Sequence, residues 1–129
     1  MTNTANDNAD APDPGIVKRL DDRAITGDAF EETVLQADSK VVALAFFWAP
    51  WCKPCLETAP AVLHAADAYG DRVLLATVNT DREEDLTRKQ SVAGLPTVVL
   101  FKNGEALDRF VGRNTSALTG AIDTALGVD

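Results

Sequence analysis

Cys52 and Cys55 are the only two thiols in the 129 residues, three positions apart in Trp51-Cys52-Lys53-Pro54-Cys55. A Cys-x-x-Cys pair that opens a helix just after a buried strand is placed for dithiol–disulfide exchange. There the first Cys meets unpaired backbone N–H groups and the positive end of the helix dipole. Both favour the thiolate, which is the attacking species. In the expected cycle Cys52 attacks a substrate disulfide and forms a mixed disulfide. Cys55, one turn further in and more buried, then attacks Cys52, releases the reduced substrate and closes the internal disulfide. The other use of such a pair is a static staple at a helix end, but closing so small a loop would stabilise little.

Composition narrows the alternatives. A disulfide framework in a small secreted domain usually shows four or more Cys. Two Cys and the single His64 cannot fill a tetrahedral zinc site within one chain, so neither metal nor cofactor is expected. His64 lies nine residues past Cys55, about half a turn round the same helix, and is expected outside the reaction. The net charge of −8 is spread along the chain and argues against a nucleic-acid partner, which would need a basic face. The densest run, Asp81-Arg82-Glu83-Glu84-Asp85, mixes signs and reads as a solvated helix start, with an acidic docking patch as the other reading.

The elements that must position the pair are legible from periodicity. Apolar residues make up 46% of the chain, enough for one core. Residues 1–15 form a polar leader, expected to be disordered, and 16–129 form the domain. The leader lacks the basic cluster and apolar stretch of a secretory signal, so a cytoplasmic protein is expected. An exported form whose signal precedes this numbering is the alternative. No apolar run is long enough for a membrane span.

Residues 16–20 read as a short strand. Asp28 reads as a helix cap with Glu31 as its capping-box partner, and that helix ends near Ala37. Residues 40–48 are apolar on both faces, as in a central strand. A long helix then carries Cys55, Ala59, Val62, Leu63, Ala66 and Tyr69 at helical spacing, with a bend expected at Pro60. A strand over 72–79 and a helix over 83–90 follow. Strands 97–102 and 105–111 are joined at Asn103-Gly104, a hairpin signal. Thr115 reads as the cap of the last helix, whose stripe is Leu118, Ile122 and Leu126. The expected fold class is α/β: a mixed sheet of about five strands with about four helices, in the order βαβαβαββα.

The segment Phe47-Trp48-Ala49-Pro50-Trp51-Cys52-Lys53-Pro54-Cys55 resembles the active site of the thioredoxin family. Asn79-x-Asp81, Gly94-Leu95-Pro96-Thr97, Phe101-Lys102-Asn103-Gly104-Glu105 and Val111-Gly112 match the same family in order and spacing. The resemblance covers roughly 16–128. It implies the thioredoxin fold and a protein-disulfide reductase, taken to be a monomer by default. Its partners would be disulfide-containing proteins and a flavin-dependent thioredoxin reductase as electron donor. Pro96 matches the family's cis-proline beside the Cys pair, which leaves the Leu95 backbone free to pair with an extended substrate. Trp51, Gly94, Leu95, Pro96 and Gly112 would form the substrate surface, and Lys53, Pro54 and Pro96 would tune the pair.

The sequence also departs from that family. Typical members place an Asp six residues before the first Cys and a Lys on the next strand, where this chain has Phe46 and Thr77. In the family the Asp helps take the proton from the second Cys. Losing both together avoids leaving one charge buried and unpaired. The change should leave the domain no less stable and slow the second displacement. Lys53 replaces the usual Gly, and Pro50 stands where many members carry an acid; both favour the Cys52 thiolate. Leu56, where many have Lys, works the other way. The net expectation is a less reducing potential. Two further readings stay open: a more oxidising thiol oxidase or isomerase, and a binding or chaperone-like module with weak redox activity.

Overall fold

The computed structural model describes residues 15–127, so the expected leader lies outside the described residues apart from Gly15. Strand β1, Val42–Trp48, is buried at all seven positions. Such a strand must be covered on both faces. It pairs in parallel with β2, Val73–Asn79, and antiparallel with β3, Thr97–Lys102. Strand β4, Glu105–Val111, returns antiparallel to β3, and the sheet order is β2-β1-β3-β4. The turn at Asn103 and Gly104 has φ of 56° and 79°, the left-handed pair that a two-residue hairpin demands.

Alternation along β1 divides the core. Val42, Leu44, Phe46 and Trp48 join one cluster, and Ala43, Ala45 and Phe47 join the other. The first cluster is roofed by α1 (Ile16–Asp21), α3 (Lys53–Ala68) and α5 (Leu118–Leu126), through Ile16, Leu20, Ala59, Val62, Leu63 and Ile122. The second is covered by α2 (Gly27–Phe30), its π-helical continuation Glu31–Leu35, and α4 (Glu84–Lys89). Phe30 meets Phe101 edge to face at 5.8 Å.

Four expectations need correction. Residues 16–20 are helical and not a strand: Ile16 and Leu20, one turn apart, are both fully buried, while Lys18 and Arg19 face solvent. Among the described residues the sheet therefore has four strands, not about five. What remains of a fifth is a single parallel bridge, Ala24 opposite Thr77. The helix expected to be capped by Asp28 starts at Gly27 without a side-chain cap; the Gly27 N–H is taken by the Glu83 carboxylate at 2.7 Å instead. The last helix starts at Leu118, not after Thr115, whose carbonyl accepts the Leu118 N–H at 3.0 Å.

Candidate active site

Strand β1 ends at Trp48 and a short turn delivers Cys52 to the head of α3. Cys52 is the N-cap residue, with φ −88° and ψ 99°, and Pro54 stands in the first turn, where a missing N–H costs nothing. Cys52 Sγ accepts the Cys55 N–H at 3.2 Å. An unpaired helix N–H therefore points at the sulfur that must carry charge. The two cysteines are bonded to each other, with Cα atoms 5.2 Å apart. Cys52 keeps 5% exposure and Cys55 none.

The flanking loops meet at this point. The Leu95–Pro96 peptide is cis. The Pro96 carbonyl accepts the Gly112 N–H at 2.9 Å, and the Thr97 hydroxyl donates to the Gly94 carbonyl at 2.6 Å. The Leu95 backbone makes no hydrogen bond among the described residues. The two glycines have different reasons to be there. Gly112 has φ +90° with open space where a Cβ would stand, so conformation demands it. At Gly94 an added Cβ would meet Val111 Cγ1 at an ordinary 3.5 Å, so packing does not. Trp51 is 70% exposed. A cavity of about 630 Å³ opens beside Cys52 and is lined by Trp51, Lys53, Pro54 and Leu95 among others. His64 is exposed on α3 and makes no hydrogen bond or ion pair among the described residues.

Two contacts were not among the sequence expectations. The Trp51 indole N–H donates to both oxygens of Asp81 at 3.1 and 3.0 Å. Asp81 is presented by an Asx turn in which its own N–H bonds Asn79 Oδ1 at 3.0 Å. The Asn79-x-Asp81 motif was the available signal. On the far side, Arg113 Nε reaches Glu57 Oε1 at 3.0 Å and ties the Gly112 loop to α3. No motif marked that pair.

Behind Cys55 the surroundings are apolar. Phe46 and Thr77 are register partners on adjacent strands, and both are fully buried. The Thr77 hydroxyl donates to the Leu20 carbonyl at 2.6 Å, so it needs no charged partner. The buried polar side chains among the described residues are Thr58, Thr77, Asn79, Thr97 and Lys102. Lys102 is occupied elsewhere, on the Ala125 carbonyl at 2.7 Å. Among the described residues no carboxylate or imidazole is buried, so none stands behind Cys55 as a base. The Trp48 indole N–H, also fully buried there, has no acceptor among the described residues.

The comparisons agree with the geometry. The thioredoxin family model matches residues 22–124. Thioredoxin 1 of Synechococcus elongatus is 38% identical over 89 residues, covering 69% of this chain and 81% of that protein. Thioredoxin of Rhodospirillum rubrum is 38% identical over 90 residues, covering 70% and 85%. The crystal structure of Fasciola hepatica thioredoxin superposes with a TM-score of 0.73 at 32% identity, over 80% of this chain and 98% of that one. A match running from the end of α1 almost to the end of α5, over a bonded Cys pair at a helix head, places this chain in the thioredoxin family as a thiol–disulfide oxidoreductase.

Proposed function

We propose that this chain reduces disulfides in proteins, with Cys52 as the attacking thiolate and Cys55 as the resolving thiol. One observation carries the reading: Cys52 caps α3 at the edge of an open cavity, while Cys55 lies sealed one turn behind it. The Cys52 thiolate attacks one sulfur of a substrate disulfide; that bond breaks and the second substrate sulfur leaves as a thiolate. Cys55 then gives up its proton and attacks the Cys52 sulfur. The substrate departs with two electrons gained, and the Cys52–Cys55 disulfide remains.

The other assignments follow from position. The Cys55 N–H and the Lys53 ammonium favour the Cys52 thiolate. Pro54 and Pro96 shape its surroundings. Trp51, Gly94, Leu95, Pro96 and Gly112 form the surface for the substrate, with the Leu95 backbone open to an extended strand. The electron donor is a flavin-dependent thioredoxin reductase, and the protein works as a cytoplasmic monomer. No helix among the described residues is long and apolar enough to cross a membrane.

Insulin reduction coupled to such a reductase tests the reading. Turnover should vanish in Cys52→Ser and in Cys55→Ser; full biological activity in both variants would favour a binding or chaperone-like module instead. A second redox reading, an oxidase or isomerase, draws support from the Lys53 cation and the apolar surroundings of Cys55. Equilibration with glutathione separates the two. A potential at or below that of ordinary thioredoxins excludes the oxidant.

A further inference from the structure

The cavity beside Cys52 has a chemical polarity of its own. Its walls include Trp51, Val92, Ala93 and Leu95, all apolar. Its two hydroxyls are turned back on the protein: Thr80 donates to the Trp48 carbonyl at 3.2 Å, and Thr87 to the Glu83 carbonyl at 2.8 Å. Among the described residues Lys53 is the only charged residue lining it, and no carboxylate does. Asp81 stands outside the lining, its exposed carboxylate accepting the Trp51 indole N–H at 3.1 and 3.0 Å. Lys53 is exposed and makes no hydrogen bond or ion pair among the described residues. In a chain of net charge −8, the surface that meets substrate thus presents a cation at the edge of an apolar trough.

We infer that Lys53 is a specificity-determining residue that selects disulfide-bearing protein segments with a carboxylate beside the attacked cysteine. This inference rests on the reductase reading above. A substrate sulfur in line with Cys52 brings its neighbouring side chain to the head of the cavity. A Glu there places apolar methylenes against Trp51 and Leu95 and its carboxylate against the Lys53 ammonium. A Lys there meets the like charge of Lys53, and no carboxylate among the described lining residues pairs with it. The overall negative field works the other way at long range, drawing basic substrates in, but it is screened by salt beyond about 8 Å at physiological ionic strength. A contact pair at the mouth of an apolar trough is screened less.

The test uses two disulfide peptides that differ only in Glu or Lys next to the cysteine, reduced by the full-length protein at physiological salt. Wild type should favour the Glu peptide by about fivefold in kcat/KM, the size of one partly exposed charge pair. Lys53→Gln should remove the preference, and Lys53→Glu should reverse it. Any effect of Lys53 on the redox potential acts on both peptides alike and cancels in the ratio. If wild type reduces both peptides equally, or Lys53→Gln keeps the preference, Lys53 does not select substrate and the reductase reading stands. If wild type reduces neither peptide while its dithiol is intact, the reductase reading falls and this inference with it.

Discussion

The two cysteines share one disulfide and live in opposite environments. Cys52 stands at a helix N-terminus, beside an open cavity, an exposed indole held by a carboxylate, and a lysine. Cys55 is fully buried among Phe46, Trp48, Ala59 and their neighbours, and no carboxylate or imidazole is buried among the described residues. The first setting stabilises a thiolate. The second penalises one, because burial in apolar surroundings disfavours the charged form. On the proposed division of labour, the attacking sulfur sits where charge is favoured and the resolving sulfur sits in hydrophobic core.

The largest effects should come from the sulfurs themselves. Cys52→Ser should abolish exchange. Cys55→Ser should still attack and then stop, accumulating a mixed disulfide visible on a non-reducing gel. If the Cys55 variant turned over substrate like wild type, the division of labour between the two environments would collapse.

Next comes the residue that makes the second environment apolar. A fully buried Phe contributes about 2–3 kcal/mol through burial alone. Phe46→Asp forfeits that and buries a carboxylate whose register partner, Thr77, cannot neutralise it. The variant should lose about 3–5 kcal/mol in a denaturant titration, part of which Thr77→Lys in the same chain should restore. The same substitution supplies Cys55 with a base, so its resolving step should speed up, by about tenfold or more in a single-turnover assay on a preformed mixed disulfide. Equal resolving rates in variant and wild type would mean that the missing carboxylate is not what sets this step.

Asp81 sharpens the other side. Asp81→Ala removes the charge-assisted acceptor that holds Trp51 over the cavity. It should raise KM for protein substrates severalfold and cost about 1 kcal/mol of stability. Asp81→Asn, which keeps an acceptor oxygen, should recover most of the loss. Indole fluorescence would report whether the ring has been freed.

The sequence exposed the two halves unequally. The attacking half is local: Trp51 to Cys55 and the Gly94-to-Thr97 segment act through neighbours in the chain, so their geometry is written in short motifs. The Trp51–Asp81 bond spans 30 positions, and only the fold brings its partners together. The cap of α2 failed for the same reason, since Glu83 reaches Gly27 from 56 positions away. Residues 16–20, five residues with two apolar ends, fit either period; burial of both Ile16 and Leu20 against α3 decides for helix. The apolar resolving half was visible as two substitutions, Phe46 and Thr77, but their adjacency across β1 and β2 required the register.

The smallest predicted effect is a control on how local this contrast is. At the far end of α3 the Tyr69 hydroxyl donates its one proton to Asp123 at 2.7 Å, with the Thr119 carbonyl a second acceptor at 3.2 Å, fastening the helix to α5. That bond, then burial, then the Asp123 charge hold the phenol's pKa above its ordinary 10.0, against a smaller opposing pull from Arg72. The neutral phenol is the form the folded state favours. Its contribution is therefore complete below pH 10.0 and disappears as pH rises through the raised value. Thermal melts of wild type and Tyr69→Phe should differ slightly at neutral pH and converge in strong alkali. Disulfide exchange at pH 7 should be unchanged, because the helix head follows directly from β1 and lies at the opposite end of α3 from this tether. A Tyr69→Phe variant with altered exchange rates would show that the far end of α3 sets the geometry of the pair, and the contrast between the two cysteines would no longer be a property of their immediate surroundings.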